Sequence, residues 1–565
     1  MPRHFPAALV MPGDAFDIDR LQVMGRRVAG RSFAQGLVAS LDADEQLTML
    51  VGNAEERTRL LALLAPILPA GSTLNVVVGF DSRVFGPIGA LHVPDPGLAR
   101  WEVLRSGQPA NSFSITGVIH TVCSSNVIEG LERLLLAPLE PWDALVCTSS
   151  AGRDVVKAAM DHQHEALQRR FGMSLPYPPG PELPLIPLAV EDALQPNGDS
   201  RANQRNKARQ HLGIDSNVFV VLFLGRLSFH SKAHPLPIYR CLDRLISEGK
   251  KVLLIECGHQ YNVNVAEAFS DLNSLFPRLP LLRLGGLQPA SSEEKALALA
   301  AADVFVSPAD NLQETFGLSV IEAMSAELPA VVSDWNGYKD LVEDGVTGFR
   351  IPTHLALGPE EQIDSIDRTY RLGLLDYDTM VGLRSLSAVV EESPLYEALR
   401  VLSADPDLCQ SMGVKARQRW RERFSWPVVQ GQYRRLWDAL ADCRQKAGRL
   451  AIAPAAVSPT ARLFATYATG PFQAESLVCN DECTPASWLL RPMQQVFFTL
   501  LCGQALESLI AHLEQCRSLN LVDLAALGIP PDQYQVVFAA LVKLGICVPH
   551  TISAATSGQE RALFL

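Results

Sequence analysis

From the start of the chain to about residue 190, short apolar runs alternate with stretches of helical periodicity. The runs "STLNVVVGF", "FSITGVIH", "DALVCTSS" and "LPLIPLAV" predict strands, with helices such as "GRDVVKAAMDHQHEALQRRF" between them. That alternation implies parallel strands covered by helices on both faces. The polar stretch "EDALQPNGDSRANQRNKARQHLGIDSN" interrupts it and reads as a linker. A second alternating series then runs through "VFVVLFLGRL", "KVLLIECGH", "LPLLRLGGL", "ADVFVSPAD", "LPAVVSD" and "TGFRIP". The reading is α/β: two Rossmann-like domains in tandem, residues 1–200 and 201–425, facing a cleft. In such sheets ligands bind beyond the carboxyl ends of the strands, so the cleft is the expected site.

Further along, the polar helical segment "GPEEQIDSIDRTYRLGLLDYDTMVGLRSL" marks an insertion near 353–405 in the second domain. "MGVKARQRWRERFSWPVVQGQYRRLWDALADC" predicts two helices separated near Pro427, the second over 426–447. An Ala/Pro-rich linker, "LAIAPAAVSPTA", leads into a mostly helical accessory domain, 448–565. Within it "LVDLAALGIPPDQYQVVFAALVKLGICV" has the helix, turn, helix and short strand of a winged-helix-like module. Residues 451–565 hold 5 basic and 8 acidic residues, which suits a protein partner or self-association better than DNA.

Composition narrows the class. A chain of 565 residues exceeds one core and divides into two to four domains. Its formal charge of -12 disfavours bulk attraction to nucleic acid or anionic lipid. Eleven scattered cysteines lack the density of a secreted disulfide scaffold, and "CNDEC" lacks a second pair at zinc-ribbon spacing. No apolar stretch long enough for a membrane span stands out, so the expectation is a cytoplasmic protein, with peripheral contact at the inner membrane face left open.

Four segments fall on loops that this architecture turns toward one cleft. "VMGRRVAGRSFAQGL" places Gly25 and Gly30 in an early loop leading into a helix, where glycine permits close approach to a ligand or simply serves a turn. "TGVIHTVCSSN" places His120 directly after a strand, able to reach the cleft or to sit as an ordinary strand-end histidine. "VVLFLGRLSFHSKAHP" sets Arg226 and Lys232 just beyond a buried strand, two cations suited to a diphosphate. "QETFGLSVIEAMSAELP" puts Glu314 before a helix and Glu322 on it, around Phe316, Gly317 and Leu318. Chance alone gives a glutamate pair at that spacing roughly twice in such a chain. Its placement on a strand, loop and helix start, which suits a phosphate, is what adds meaning.

Taken together, these residues resemble the retaining GT-B glycosyltransferases of family 4, over about residues 5–445 and most strongly over 218–350. In that family a Gly-Arg-Leu step with a nearby Lys sits on the donor diphosphate, which Arg226 and Lys232 match. The E-x7-E motif is matched by Glu314 and Glu322. The resemblance implies that Glu314 contacts the transferred sugar, Glu322 the nucleotide ribose, and the amides of Phe316 to Leu318 the sugar and phosphates. It further implies catalytic roles for Arg226, Glu314 and His120, with Gly25 and Gly30 on the acceptor-side loop. The expected substrate is a UDP- or GDP-linked sugar, with no cofactor and no metal, and the expected acceptor a glycan, lipid-linked or protein hydroxyl. Here the step from Arg226 to Lys232 is one residue longer than the family's usual spacing, with "SFHSK" in the gap. Two other readings fit the same residues: a GT-B sugar-nucleotide epimerase, and a non-catalytic sugar-nucleotide-binding scaffold acting through the C-terminal domain.

Overall fold

The computed structural model describes residues 3–17, 25–194, 200–356, 363–448, 450–452 and 460–550. The chain divides into two compact units, Met1–Ala456 and Val457–Leu565. The first holds two parallel sheets. Sheet one contains β1 (Arg3–His4), β2 (Ala8–Val10), β3 (Glu45–Val51), β4 (Thr73–Val78), β5 (Ala90–Val93), β6 (Ser114–Val118) and β7 (Ala144–Val146). Sheet two contains β8 (Phe219–Arg226), β9 (Val252–His259), β10 (Leu281–Gly286), β11 (Val304–Ser307), β12 (Ala330–Ser333) and β13 (Gly348–Ile351).

Sheet two runs in the order β10-β9-β8-β11-β12-β13. Its register pairs Gly225 with Gly258 and Val304 with Val221. This is the doubly wound order, whose direction reverses between β8 and β11. A crevice therefore opens beyond the ends of those two strands, where Arg226 and the loop leading to Glu314 emerge. Sheet one repeats the pattern: β4 pairs with β3, then β2, β5, β6 and β7 follow, with β1 a short parallel extension beside β3. Its reversal lies between β2 and β5, again at one side of the cleft.

Both sheets are buried on both faces, which explains their continuous apolar runs. Two cores flank sheet two, one built on Leu222, Phe305 and Ile321 and the other on Val221, Tyr239 and Leu242. The helix Trp426–Lys446 inserts Trp426, Tyr433 and Trp437 into the core of the first sheet with Phe5 and Leu9. Pro427 stands at the start of that helix, where a missing N–H costs nothing.

Three sequence expectations change. "LPLIPLAV" forms no strand: Pro184 and Pro187 remove ladder donors, and only single bridges form nearby, such as Cys147 to Leu185. The polar "linker" contains a helix, Arg201–Leu212. Its docking is polar, which hid it from an apolar pattern: Arg205 and Arg209 reach Asp303 at 2.7 and 2.6 Å, and Arg209 Nε donates to the Ala301 carbonyl at 2.9 Å. Residues 195–199 of that stretch lie outside the described residues. Finally, Pro492–Cys516 has the length and apolarity of a membrane span, contrary to the expectation that none would stand out. The segment bends at Gly503, φ 57°, and its second half buries Leu506, Leu509 and Leu513 in the core of the second unit.

That second unit packs helices against a three-stranded antiparallel sheet, β14 (Ser476–Cys479) at its centre between β15 (Ser518–Asn520) and β16 (Cys547–Pro549). Cys479 and Cys547 approach to 3.7 Å in its core without a disulfide.

One buried polar group links this fold to pH. His92, on β5, is enclosed by Phe33, Tyr433 and Trp437 and bonds the Thr116 hydroxyl at 3.0 Å. Burial, with a smaller contribution from His120, pulls its value down from 6.5 to about 3. It stays neutral in the fold while the unfolded chain takes up a proton, so stability falls as pH drops from 6.5 toward 3. Urea midpoints measured from pH 7 to 4 are expected to decline less steeply in His92→Gln; equal slopes would rule His92 out as a source of acid sensitivity.

Candidate active site

The loop after β11 builds the centre of the site. Asn311 Oδ1 accepts from the backbone N–H groups of Gln313 and Glu314 at 3.0 and 3.1 Å, turning the chain so that Glu314 faces the cleft. Gly317 then opens the helix Leu318–Ser325 at φ 116°, a conformation that side chains rarely adopt, and an added Cβ would strike the Tyr338 ring. No side chain caps this helix, and Leu318 and Ser319 at its start line the cavity, which brings the positive dipole end of the helix to that space.

Lys232 is the polar hub. Its ammonium donates to Glu314 Oε2 at 2.7 Å, to the Tyr338 hydroxyl at 3.1 Å and to Ser319 Oγ at 3.3 Å. Burial opposes its charge, but the Glu314 carboxylate and Tyr338 outweigh that and hold Lys232 above the usual lysine range. Burial likewise opposes the charge of Glu314, yet Lys232, the Phe316 amide and Arg226 keep it below the usual carboxylate range. Both groups are therefore ionised. Arg226, at the end of β8, has no ion-pair partner among the described residues and faces the same space.

Glu322 sits on the helix and pairs with Lys295 at 2.6 Å. Lys295 comes from the helix Ser292–Ala301, where nothing in the sequence separates it from an ordinary surface lysine. Arg26 was also missed; it lines the cleft and meets Asp14 at 3.2 Å.

Hydrogen bonds across the cleft fix the loop against the first domain. Thr315 Oγ1 donates to the His120 carbonyl and Ser149 Oγ to the Thr315 carbonyl, each at 2.6 Å. Ser150 reaches Asp340 at 2.6 Å through both its amide and its hydroxyl. The His120 imidazole lines the cleft; burial first, then the charge of Arg26, pulls it down from 6.5 to about 4, so it is neutral at pH 7.

The sequence candidates converge on one cavity of about 320 Å³: Gly25, His120, Arg226, Lys232, Glu314, Phe316, Gly317, Leu318 and Glu322 all line it. Gly30 does not. Both glycines lie in the helix Gly25–Ala39 rather than in a loop, and a Cβ on Gly30 would overlap the Ala15 carbonyl, so Gly30 serves close packing of two backbone segments. Among the described residues no group of three or more His, Cys, Asp or Glu side chains is placed to hold a metal ion.

Two doubly wound parallel sheets whose switch points face one cleft define the GT-B class of fold. Within it, residues 204–371 match the family model described as "Glycosyl transferases group 1". The curated relatives include an α-maltose-1-phosphate synthase of Mycobacterium tuberculosis, 26% identical over 227 residues that cover 39% of this chain and 48% of the relative. A D-inositol 3-phosphate glycosyltransferase of Corynebacterium kroppenstedtii is 26% identical over 208 residues, 35% of this chain and 44% of its own. The chain thus spans about half the length of the curated relatives it matches. Among solved structures, Anabaena HepE in complex with UDP and glucose aligns with a TM-score of 0.46 and 15% identity, over 77% of this chain and 100% of the other. Sucrose-phosphate synthase from Thermosynechococcus elongatus aligns at 0.47 and 15%, over 77% and 99%.

Proposed function

We propose that this protein transfers a sugar from a nucleotide-diphospho-sugar, UDP- or GDP-linked, to an acceptor hydroxyl, with retention at the anomeric carbon and without a metal. The observation that carries this reading is the convergence of Arg226, the Lys232–Glu314 pair and the uncapped helix start at Leu318 on one cavity. Breaking a glycosyl-phosphate bond builds negative charge on the leaving diphosphate, and fixed cations and amide dipoles aimed at that charge lower the barrier. Arg226 and Lys232 supply the cations, and the first-turn N–H groups supply the dipoles. Glu314, anchored by Lys232, holds hydroxyls of the transferred sugar, and Glu322 the ribose. His120, neutral, donates or accepts a hydrogen bond near the reacting sugar. No protein nucleophile takes part; the leaving phosphate takes the acceptor proton on the face where the new bond forms. Arg226 and Lys232 take the neutralising role that a metal would otherwise have.

A thermal-shift screen of UDP- and GDP-sugars tests the donor site. The true donor at about 100 times its Kd stabilises the fold by about 2.7 kcal/mol. Glu322→Ala is expected to remove most of that shift. Labelled sugar from the donor found should then appear on acceptor with its anomeric configuration retained by NMR, and at an unchanged rate in EDTA. Silence across the whole screen would sink the donor assignment, an inverted product the stereochemistry, and loss of rate in EDTA the metal-free pathway.

A further inference from the structure

A larger cavity, about 960 Å³, adjoins the donor pocket and shares Arg26, His120 and Arg226 with it. We propose that this cavity seats an uncharged oligosaccharide, the acceptor of the reaction. The assignment of acceptor rests on the transferase reading above.

Size is the first argument. Ligand pockets span about 300–1,000 Å³, so this one stands at the upper end and suits a ligand of more than one sugar ring.

Charge is the second. Three arginines line the cavity, and Arg226 at its inner end belongs to the donor diphosphate. Arg26 and Arg27 share Asp14, at 3.2 and 2.7 Å, and Arg100 pairs with Asp95 at 2.5 Å; both acids line the same cavity. A third acid, Asp378, lies 4.0 Å from His230 Nε2. Burial holds both His120 and His230 below the ordinary histidine value, so neither adds a cation at pH 7. Among the described residues Arg26, Arg27 and Arg100 are thus matched in number by Asp14, Asp95 and Asp378, so the acceptor end carries no net positive charge to hold a phosphate or carboxylate.

The third argument is the mixture of surfaces. Phe80 and Trp101 meet edge to face with centroids 5.4 Å apart and the Arg100 guanidinium 5.4 Å from the Trp101 ring centroid, an aromatic corner that offers a sugar ring C–H contact beside N–H donors. The second domain contributes the Tyr261 hydroxyl, positioned by His230, whose Nε2 lies 3.0 Å from it and whose Nδ1 lies 3.2 Å from Ser228 Oγ. His230 belongs to the lengthened "SFHSK" step, so the extra residue between Arg226 and Lys232 coincides with a side chain on the acceptor side.

Finally, the insertion closes the wall. Its helix Tyr377–Ser385 brings Tyr377 and Asp378 to the cavity. The Tyr377 hydroxyl donates to Gln313 at 3.3 Å and lies 3.3 Å from the Cys123 thiol, while the Tyr370 hydroxyl accepts from the Ser125 amide at 3.3 Å. These bonds hold the insertion across the cleft, with Asp378 on the wall of the same cavity as Phe80 and Trp101.

Saturation-transfer NMR on the full chain tests the proposal, with maltotriose, cellotriose, mannotriose and triacetylchitotriose as neutral probes and glucose 1-phosphate and glucose 6-phosphate as charged ones, with and without UDP or GDP. At least one trisaccharide should receive more saturation than either phosphate. That signal should fall at least about fivefold in Trp101→Ala and in Asp378→Asn, the loss of one stacking or hydrogen-bond contact. Nucleotide-induced thermal shifts of both variants should match wild type, which shows that they fold. A stronger signal from a phosphate, silence from all four trisaccharides, or a signal unaffected by both substitutions would overturn the proposal. Should trisaccharide binding follow Trp101 and Asp378 while no nucleotide shifts the melting temperature, the donor reading falls and the saccharide site stands.

Discussion

Arg226→Ala is expected to lower turnover at least about a hundredfold, the usual cost of removing one preorganised charge from a developing anion. Its far-ultraviolet circular dichroism should remain that of wild type. The separation of the two effects follows from where the residue sits. Arg226 is the last residue of β8, its side chain is in no ion pair among the described residues, and the strand is anchored by Val220 to Leu224 in the cores. Truncating it leaves no buried partner unpaired. Because the charge on the diphosphate grows as the bond breaks, the loss should appear in kcat as well as in donor affinity. Arg226→Lys restores only part of the rate, since an ammonium lacks the planar fork that engages two phosphate oxygens. Wild-type turnover in Arg226→Ala would remove this residue from the site.

Lys232→Met should behave differently, losing stability together with activity. The side chains of Lys232 and Glu314 are 9% and 18% exposed, and the ammonium also serves Ser319 and Tyr338. Removing it leaves the largely buried Glu314 carboxylate without its counter-ion and the Ser319 hydroxyl without that partner, while Tyr338 keeps Ser307 at 2.9 Å; breaking such an ion pair costs about 3–5 kcal/mol. The lower urea midpoint is the first readout. The second is rescue: adding Glu314→Gln removes the uncompensated charge, so the double variant should be more stable than Lys232→Met alone while remaining inactive. A double variant no more stable than the single one would mean that the buried ion pair is not the source of the loss.

These two cations show how much of the site could be read from residues in order. Both stand in one contiguous segment just past an uninterrupted apolar strand, and Glu314 to Glu322 stand in another. Doubly wound sheets bring their active loops out directly after strands, so short motifs there keep their meaning without coordinates. Gly30 shows the limit. Its neighbourhood looked like a ligand-binding loop, but the glycine is needed because the Ala15 backbone crosses its helix, a contact between segments that no local pattern encodes.

The helix Arg201–Leu212 escaped for a related reason. An apolar pattern marks helices that bury hydrocarbon, whereas this one docks through arginines onto Asp303 and nearby carbonyls. Similarly, the proposed acceptor wall draws Trp101, His230 and Asp378 from three separate stretches of chain.

By itself the sequence determined the tandem α/β alternation and the strand-exit segments that carry Arg226, Lys232, Glu314 and Glu322. Periodicity and strand-exit motifs act over a few residues, which is the range that a linear reading resolves. Only the tertiary structure decided which of those residues share a cavity, that Lys295 faces Glu322, and that Ser149 and His120 grip Thr315 from the other domain. Such pairings depend on the closing of sheets and the crossing of a cleft, where residues far apart in the chain come within hydrogen-bond reach.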